Sequence, residues 1–277
     1  MSAGRTLPEL ISSRRHPLVA RFRALHGARG RREQGLVLLE GTHLLEEVMA
    51  RQLRPELVLA TEAWLERHGP LVRALPLDVA LQPVGESLLA AVATTEHPDG
   101  VVLSLPLIEP GPAPQLDLVL ALDRLQDPGN LGTLMRTALA AGVDELWLAA
   151  GADPWQPKVL RASAGAALAL PLRRLEGTAA LLERLIAARD QGLQVVATVV
   201  RGGLPYWQLD WCQPTVLLLG NEGAGLAPEL LECCTQRISI PHSPQVESLN
   251  VAVAAAPLLL ERSRQRFASG GEGPGTD

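Results

Sequence analysis

The sequence predicts an α/β protein of two domains, a C-terminal domain with a parallel sheet and a smaller N-terminal α/β domain. Short apolar runs alternate with amphipathic helical patterns, which is typical of α/β folds. Three prolines and a glycine mark a linker at residues 107–117, which divides the chain near residue 112. After it, the apolar runs are continuous, as in strands buried on both faces of a sheet. We therefore expect domains at 1–111 and 112–268 and a disordered tail at 269–277.

The N-terminal part contains four apolar runs that predict strands and three amphipathic segments that predict helices. In the first helix, Leu44, Leu45 and Met49 recur at helical spacing, and Thr61 is placed to cap the second. The predicted strands are 35–40, 56–60, 77–84 and 100–106, and the predicted helices are 42–52, 61–68 and 86–93.

The C-terminal part continues the alternation with longer helices. The strand predicted at 118–123 is wholly apolar up to its last residue, so we expect it to be buried on both faces. The further predicted strands are 145–150, 172–175, 194–200, 215–220 and 237–241, and the predicted helices are 131–141, 158–170, 178–192, 228–234 and 249–266.

Charge is distributed unevenly along the chain. The net charge of −5 argues against a protein that is basic all over, and the aromatic fraction of 3% requires a core of Leu, Val and Ala. Residues 1–35 nevertheless carry eight arginines against Glu9 and Glu33, and arginine binds phosphate through a planar fork. This basic arm predicts contact with phosphates or, alternatively, a solvated helix face or a loose terminus. Its arginines are Arg5, Arg14, Arg15, Arg21, Arg23, Arg29, Arg31 and Arg32.

The three cysteines, Cys212, Cys233 and Cys234, lack the spacing of a metal site, and we expect no bound metal. The adjacent pair fits a packed helix face. No stretch reaches the roughly 18 apolar residues of a membrane span, and the first residues lack the apolar core of a signal peptide. We expect a cytoplasmic protein in a reducing compartment that does not contact membranes.

A turn and a helix start follow the first buried strand of the C-terminal domain. Residues 127–130 (DPGN) predict the turn, and Asn130 is a candidate cap for the helix. Gly132 allows another group to approach the backbone. Arg136 lies one and a half turns into the helix, so its side chain can reach back over the helix start. An ordinary capped helix with a surface arginine explains the same residues.

A glycine-rich loop follows the strand at 215–220. Gly220, Gly223 and Gly225 leave backbone groups open to a close-packed ligand. The loop matches neither the phosphate-loop pattern nor the dinucleotide fingerprint. Glu222 would repel an anion, so it suits a cationic ligand or holds Arg136. A plain turn is the alternative.

A polar helix entry follows the last predicted strand. Ile240 and Pro241 end the strand, and Ser248, Leu249 and Asn250 lead into the final helix. We expect Ser248 and Asn250 to be buried among apolar neighbours, where they need hydrogen-bond partners. They either cap the helix or bind a substrate.

The three segments, in this order, resemble the motifs of the SpoU/TrmH-type RNA 2′-O-ribose methyltransferases of the SPOUT superfamily. The resemblance covers residues 117–266, and the segment LVLLEGTHLLEE in the N-terminal part looks like that family's substrate-binding domain, which is similar to small ribosomal RNA-binding folds. The residues that carry it are Asn130-x-Gly132-x-x-x-Arg136, then Leu219-Gly220-Asn221-Glu222-Gly223-x-Gly225, then Ile240-Pro241 and Ser248-Leu249-Asn250-Val251.

The resemblance implies the cofactor S-adenosylmethionine, held in a deep trefoil knot at the C-terminal end of the sheet. It also implies a homodimer with each active site near the interface, and an RNA substrate. We expect ribosomal RNA rather than tRNA, because the N-terminal domain resembles that of the members that modify ribosomal RNA. The positions that match the cofactor contacts are Thr198, Gly220, Ile240 and Leu249.

Arg136 matches the family's catalytic arginine, which is proposed to help deprotonate the ribose 2′-hydroxyl. Because arginine side chains stay protonated in proteins, we favour electrostatic stabilisation of a developing alkoxide over base action. The remaining polar positions, which would orient Arg136 and the ribose, are Asn130, Glu222, Ser248 and Asn250.

The chain departs from the family pattern at three positions. His242 replaces a methionine, Pro244 stands where glycine is common, and Pro257 is expected to interrupt the last helix. A non-catalytic RNA-binding or assembly factor is one alternative function, but it need not retain the whole polar set. A nucleotide-dependent oxidoreductase is another, but it lacks the dinucleotide fingerprint.

Overall fold

The computed structural model describes residues 5–107, 111 and 113–270. These residues form two compact units. The first holds the described residues up to 107 together with Asp153–Leu168, and the second holds those from 111 to Ala152 and from Ala169 to 270. Both units are α/β folds, which confirms the predicted fold class. The predicted boundary at residue 112 and the last seven residues of the predicted tail lie outside the described residues.

The first unit contains a four-stranded mixed sheet. Its strands are β1 (Leu36–Glu40), β2 (Leu57–Ala60), β3 (Ala80–Pro83) and β4 (Val101–Pro106). Their order is β1-β4-β2-β3, in which β4 is antiparallel to both neighbours and β2 is parallel to β3. The helices are α1 (Pro17–Ala24), α2 (Ala28–Gln34), α3 (Thr42–Ala50), α4 (Glu62–Arg67), α5 (Gly69–Ala74) and α6 (Glu86–Val92).

Local sequence explains most of these elements. Thr61 accepts a hydrogen bond from the backbone N–H of Trp64 and so caps α4, as predicted. The strand expected at 77–84 begins only at Ala80, and Leu77 is 72% exposed. Helix α5 was not predicted, because its six residues carry little apolar periodicity.

From residue 5 onward, the basic arm is folded into the first unit rather than loose. Phe22 and Leu25 are completely buried and pack in one cluster with Leu38 and Leu59. Arg31 is only 4% exposed and donates to the carbonyls of Leu25 and His26. Deleting this arm would therefore remove part of the hydrophobic core.

The remaining elements begin after residue 117. The strands are β5 (Leu118–Asp123), β6 (Glu145–Ala149), β7 (Leu172–Leu175), β8 (Gln194–Thr198), β9 (Leu204–Pro205), β10 (Thr215–Leu219) and β11 (Gln236–Ser239). The helices are α7 (Pro128–Ala140), α8 (Pro157–Ala162), α9 (Gly177–Asp190), α10 (Pro228–Cys233) and α11 (Val251–Ala268).

All seven strands form one sheet in the second unit, in the order β7-β6-β5-β10-β8-β11-β9, and every pair is parallel. All six residues of β5 and all five of β10 are buried, as the continuous apolar runs predicted. The parallel sheet of the predicted C-terminal domain is thus confirmed.

The segment Asp153–Leu168 packs in the first unit, although the sequence placed it within the C-terminal domain. Arg31 donates to the Asp153 carboxylate at 2.6 Å, and Arg161 lies 3.3 Å from Glu40. The single helix predicted at 158–170 ends at Ala162 instead. It ends there because Ala164 and Gly165 have positive φ angles, +47° and +87°, which stop an α-helix.

Pro257 does not interrupt the last helix, contrary to the prediction, since α11 runs from Val251 to Ala268. Proline removes the hydrogen bond to the carbonyl four residues earlier, here that of Val253. Val253 is 63% exposed, so water can satisfy that carbonyl. Ala255, Leu258 and Leu259 are buried, and their packing holds the helix continuous. Among the described residues, no helix is long and apolar enough to cross a membrane.

Candidate active site

Four neighbouring strands of the parallel sheet end at one edge. These strands are β5, β10, β8 and β11, in that order across the sheet. The loops that follow them begin at Arg124, Gly220, Val199 and Ile240. Ligands of open parallel sheets bind at this carboxyl edge, so these loops are where a binding site is expected.

The loop after β10 folds back on its own first residue. Asn221 and Gly225 exchange backbone hydrogen bonds of 3.1 and 2.9 Å, and Gly225 has a φ of +68°. A Cβ on Gly220 would lie 2.5 Å from the backbone of Gly225 and of Leu226. Gly220 is therefore required by the fold of this loop, in addition to any ligand that the loop admits.

Asn221 was not predicted as a site residue, yet its side chain organises this edge. Its Oδ1 accepts from the backbone N–H groups of Gly223 and Ala224, at 3.0 and 2.9 Å. Its Nδ2 donates to the carbonyl of Arg124 at 2.9 Å. The first contact is a local asparagine turn that the sequence could have indicated. The second joins the loops after β5 and β10 and depends on the tertiary fold.

Helix α7 is capped by Asp127 and not by Asn130, which corrects the prediction. The Asp127 carboxylate accepts from the backbone N–H of Asn130 at 2.7 Å. The helix begins at Pro128. Proline suits the first helical position because an N–H there would have no partner within the helix, so its absence costs nothing. Asn130 lies in the first turn, and its side-chain amide is free to make other contacts.

Three polar side chains form a chain of hydrogen bonds, which we call the amide relay (Glu222, Asn130 and Asn250). Asn130 Nδ2 donates to Glu222 at 3.2 Å, and Asn250 Nδ2 donates to Asn130 Oδ1 at 3.0 Å. Asn250 Oδ1 in turn accepts from the backbone N–H groups of Ala252 and Val253 and caps α11. Each amide can satisfy both partners in one orientation only, so the relay fixes both side chains.

Glu222 ties the relay to the turn before α7. Its carboxylate also accepts from the backbone N–H groups of Gln126 and Asp127, both at 3.4 Å. It does not hold Arg136, as one reading of the sequence suggested. Arg136 is exposed, and its guanidinium makes no hydrogen bond or ion pair with the part of the chain that the structure describes.

Ser248 and Asn250 are exposed, not buried as predicted. The expectation failed because the segment 241–250 lies at the surface, with only His242 partly buried. The ring of His242 bonds through Nδ1 to the carbonyl of Ile240 at 2.7 Å, which fits a structural role for this histidine.

A pocket of about 730 Å³, its open mouth included, lies between the ends of β8, β10 and β11 and the start of α11. Apolar side chains such as Leu226, Ala254 and Leu258 form part of its wall. All four predicted cofactor positions line it: Thr198, Gly220, Ile240 and Leu249.

Only two of the five predicted catalytic residues line this pocket. Glu222 and Ser248 line it. Asn130 and Asn250 are outside its lining but are joined to Glu222 by the amide relay. Arg136 follows Asn130 on the same helix, roughly 1.7 helical turns further on.

The adjacent cysteines lie at the end of α10 and are not part of this pocket. Both thiols donate to the carbonyl of Leu230, and all three cysteines of the chain are free. Burial raises the pKa of the Cys234 thiol to about 12, so it is not a nucleophile at neutral pH. Within the described ranges, no group of three or more His, Cys, Asp or Glu side chains could hold a metal ion.

Comparison with known proteins gives the same identification as the three motifs. The model of the SpoU rRNA methylase family matches residues 117–260, and that of the MRM3-like substrate binding domain matches residues 16–103. A protein of Synechocystis sp. that is named as an uncharacterized tRNA/rRNA methyltransferase is 44% identical over 94% of this chain and 95% of its own. The 23S rRNA (guanosine(2553)-2′-O)-methyltransferase RlmP of Bacillus subtilis is 34% identical over 90% of this chain and 97% of its own.

A solved structure extends the likeness to the whole fold. The rRNA methyltransferase of Sinorhizobium meliloti with bound AdoMet is 31% identical, with a TM-score of 0.79 over 93% of this chain and 98% of its own. These similarities confirm the resemblance drawn from the motifs around Asn130, Gly220 and Ser248. The chain belongs to the SpoU rRNA methylase family.

Proposed function

We propose that this protein is an S-adenosylmethionine-dependent RNA 2′-O-ribose methyltransferase. The observation that carries the proposal is the pocket at the carboxyl edge of the sheet, with the amide relay beside it. The test is transfer of a labelled methyl group to an unmodified 23S rRNA transcript, followed by mapping of the labelled ribose. Transfer to a base, or to neither base nor ribose, would contradict the proposal. A non-catalytic RNA-binding factor would bind the transcript without transferring the label.

The pocket fits the cofactor by the chemistry of its lining. Apolar side chains form much of its wall and a few polar groups lie among them, as in most small-molecule sites. Among the described residues that line it, the ionisable side chains are Glu222 and His242. Because S-adenosylmethionine has no phosphate, its pocket needs no arginine or lysine in the wall. The negative charge of Glu222 would attract the positively charged sulfonium of the cofactor. Thr198, Gly220, Ile240 and Leu249 would hold the cofactor, largely through their backbone groups.

S-adenosylmethionine supplies a methyl group that is already activated on its sulfonium. The protein then has to place a ribose 2′-oxygen in line with that methyl and lower the cost of removing its proton. Arg136 carries an unpaired positive charge and would stabilise the developing alkoxide, while the proton passes to water. Glu222, Asn130, Asn250 and Ser248 would orient the ribose beside it.

Ribosomal RNA is the substrate that we propose. The relatives from B. subtilis and S. meliloti are named as rRNA methyltransferases, and both cover at least nine tenths of this chain. The match of residues 16–103 to a substrate binding domain supports the N-terminal region, predicted at 1–111, as the part that holds the RNA. The cytoplasmic location and the trefoil knot stay predictions.

Four arginines of the basic arm are free to bind RNA phosphates. Arg14, Arg15, Arg23 and Arg32 are exposed and form no side-chain hydrogen bond or ion pair within the described residues. The other four arginines of the arm are already engaged: Arg5 with carbonyls of residues 75–79, Arg21 with Glu56, Arg29 with Glu33 and Arg31 with Asp153.

Replacing the four free arginines with glutamine should weaken RNA binding without unfolding the protein. For each phosphate that is no longer neutralised, the slope of log affinity against log salt should fall by about 0.7 to 0.9. Filter binding to the 23S rRNA transcript at several salt concentrations measures this slope. Arg29→Gln with Arg54→Gln is the control, because both guanidinium groups are already in surface ion pairs. An unchanged salt slope in the fourfold variant would show that these four arginines face solvent and do not contact the RNA.

We also propose a homodimer, supported by an apolar stripe on α11. Val253, Leu260 and Phe267 recur every seven residues on one face of the helix and are 63%, 50% and 75% exposed.

Leu260→Glu combined with Phe267→Glu should convert the dimer to a monomer, measured by sedimentation equilibrium. Leu77→Glu, at an apolar residue 72% exposed in the first unit, should leave the dimer intact. A dimer that survives the double change does not use this stripe.

A further inference from the structure

Arg124 adopts a backbone conformation that arginine disfavours. It follows β5 directly and has a φ of +55°, in the left-handed region where glycine is favoured. Unfavourable backbone conformations are kept where the surrounding structure and the function require them. The position beside the candidate active site makes Arg124 a candidate for such a function.

The backbone of Arg124 is fixed on both sides. Its N–H donates to the carbonyl of Ala149 at 2.8 Å, and its carbonyl accepts from Asn221 Nδ2 at 2.9 Å. Asn221 is the residue that precedes Glu222 in the loop after β10. The side chain of Arg124 therefore starts from a defined point next to the amide relay.

The guanidinium of Arg124 is held by one edge only. Its Nε and Nη2 donate to Asp123 Oδ2, at 3.1 and 3.0 Å. The Asp123 side chain is completely buried, whereas that of Arg124 is 40% exposed. The Nη1 group has no hydrogen bond within the described residues, so donors of the guanidinium remain open to solvent. Asp123 thus fixes a partly exposed cation at the end of the central strand.

We propose that Arg124 binds a phosphate of the substrate RNA and so places the target ribose against Arg136. This inference rests on the proposed function. Most protein contacts to a nucleic acid backbone are made to phosphate oxygens, and these contacts set the register of the substrate. The neighbouring carboxylates are already engaged with backbone N–H groups, that of Asp127 with Asn130 and that of Glu222 with Gln126 and Asp127. The guanidinium of Arg124, already held in one orientation, can donate hydrogen bonds to a negatively charged phosphate at this edge of the sheet.

A structural role for Arg124 makes a different prediction. If the guanidinium serves only to neutralise the buried Asp123 carboxylate, it becomes dispensable once that carboxylate is replaced by an amide. Glycine is the residue that best tolerates the backbone at position 124. The double variant Asp123→Asn with Arg124→Gly therefore removes the cation while leaving neither a buried unpaired charge nor backbone strain.

The experiment measures the affinity of the full chain for an unmodified 23S rRNA transcript by filter binding at several salt concentrations. We expect the double variant to bind roughly five- to tenfold more weakly, with a salt slope lower by about 0.7 to 0.9, the change expected when one phosphate is no longer neutralised. Its affinity for S-adenosylmethionine, measured by calorimetry, and its melting temperature should stay close to those of the wild type. Arg189→Gln removes a single exposed arginine at the end of α9 and is the control. It should change neither the affinity for the RNA nor the salt slope.

Arg124→Lys gives a second readout that does not depend on the double variant folding. It should keep the wild-type salt slope, because the charge remains, and should raise KM for the RNA, because the fork is lost. A double variant with wild-type RNA affinity and slope, or an Arg124→Lys variant with wild-type KM, would overturn the inference. The binding measurements do not require methyl transfer, so failure of the proposed function gives a different result.

Discussion

Replacing Arg136 with alanine should lower the rate of methyl transfer by at least a hundredfold, with little change in affinity for S-adenosylmethionine. Loss of one charged or hydrogen-bonding group that stabilises a transition state costs about 10²- to 10³-fold in rate. Arg136 is absent from the pocket lining, so cofactor binding should persist. Its guanidinium has no partner within the described residues, so its removal leaves no buried group unsatisfied. Single-turnover transfer and calorimetry measure the two quantities.

The controls separate charge from geometry. Arg136→Lys keeps the positive charge but loses the planar fork, so it should recover part of the rate. Arg189→Ala changes an exposed arginine outside the pocket lining and should transfer methyl at the wild-type rate. Undiminished transfer by Arg136→Ala would remove this residue from the mechanism. An equal loss of cofactor affinity would indicate that it shapes the pocket instead.

Gly220→Ala should damage cofactor binding and stability together. The added methyl group would lie 2.5 Å from backbone atoms of Gly225 and Leu226, which cannot rotate away as a side chain can. Forcing one extra carbon into a closed space costs about 1–3 kcal/mol. We expect a melting temperature lower by roughly 2–12 °C, taking about 2–4 °C for each kcal/mol in a domain of this size. Calorimetry should show at least a tenfold weaker affinity for S-adenosylmethionine, since the displaced loop forms one wall of the pocket.

Gly223→Ala is the matched control in the same loop. A Cβ at Gly223 would meet nothing closer than Asn221 Oδ1, at 3.7 Å, which is an ordinary contact. This variant should bind the cofactor and melt as the wild type does. If Gly220→Ala also keeps the wild-type cofactor affinity and melting temperature, the loop accommodates the methyl group without cost, and its turn does not shape the pocket.

Much of the fold could be predicted because its causes are local. Continuous apolar runs identified β5 and β10, and a threonine in the right place identified the cap of α4. The sequence also predicted which loops come together, because loops after neighbouring parallel strands meet at one edge of the sheet. The family followed from three motifs in order, each of them a short continuous segment.

The contacts within the site could not be predicted, because they depend on residues far apart in the chain. Asp127 takes the cap of α7 and leaves Asn130 for Glu222 and Asn250, which lie 92 and 120 positions away. The sequence cannot decide between Asp127 and Asn130 as the cap, because the other partners of Asn130 come close only in the folded chain. Exposure is equally non-local, which is why Ser248 was expected inside and lies at the surface.

The arginines of the arm illustrate the same division. The sequence alone was enough to identify a basic segment, because charge is a property of composition. Only the tertiary structure decided which charges are available, since Arg31 is buried against Asp153 while Arg14 and Arg32 face solvent. Local patterns determine which helices, strands and motifs form. Contacts between distant residues determine which polar groups are paired, and those left unpaired, Arg136 among them, are free to meet a substrate.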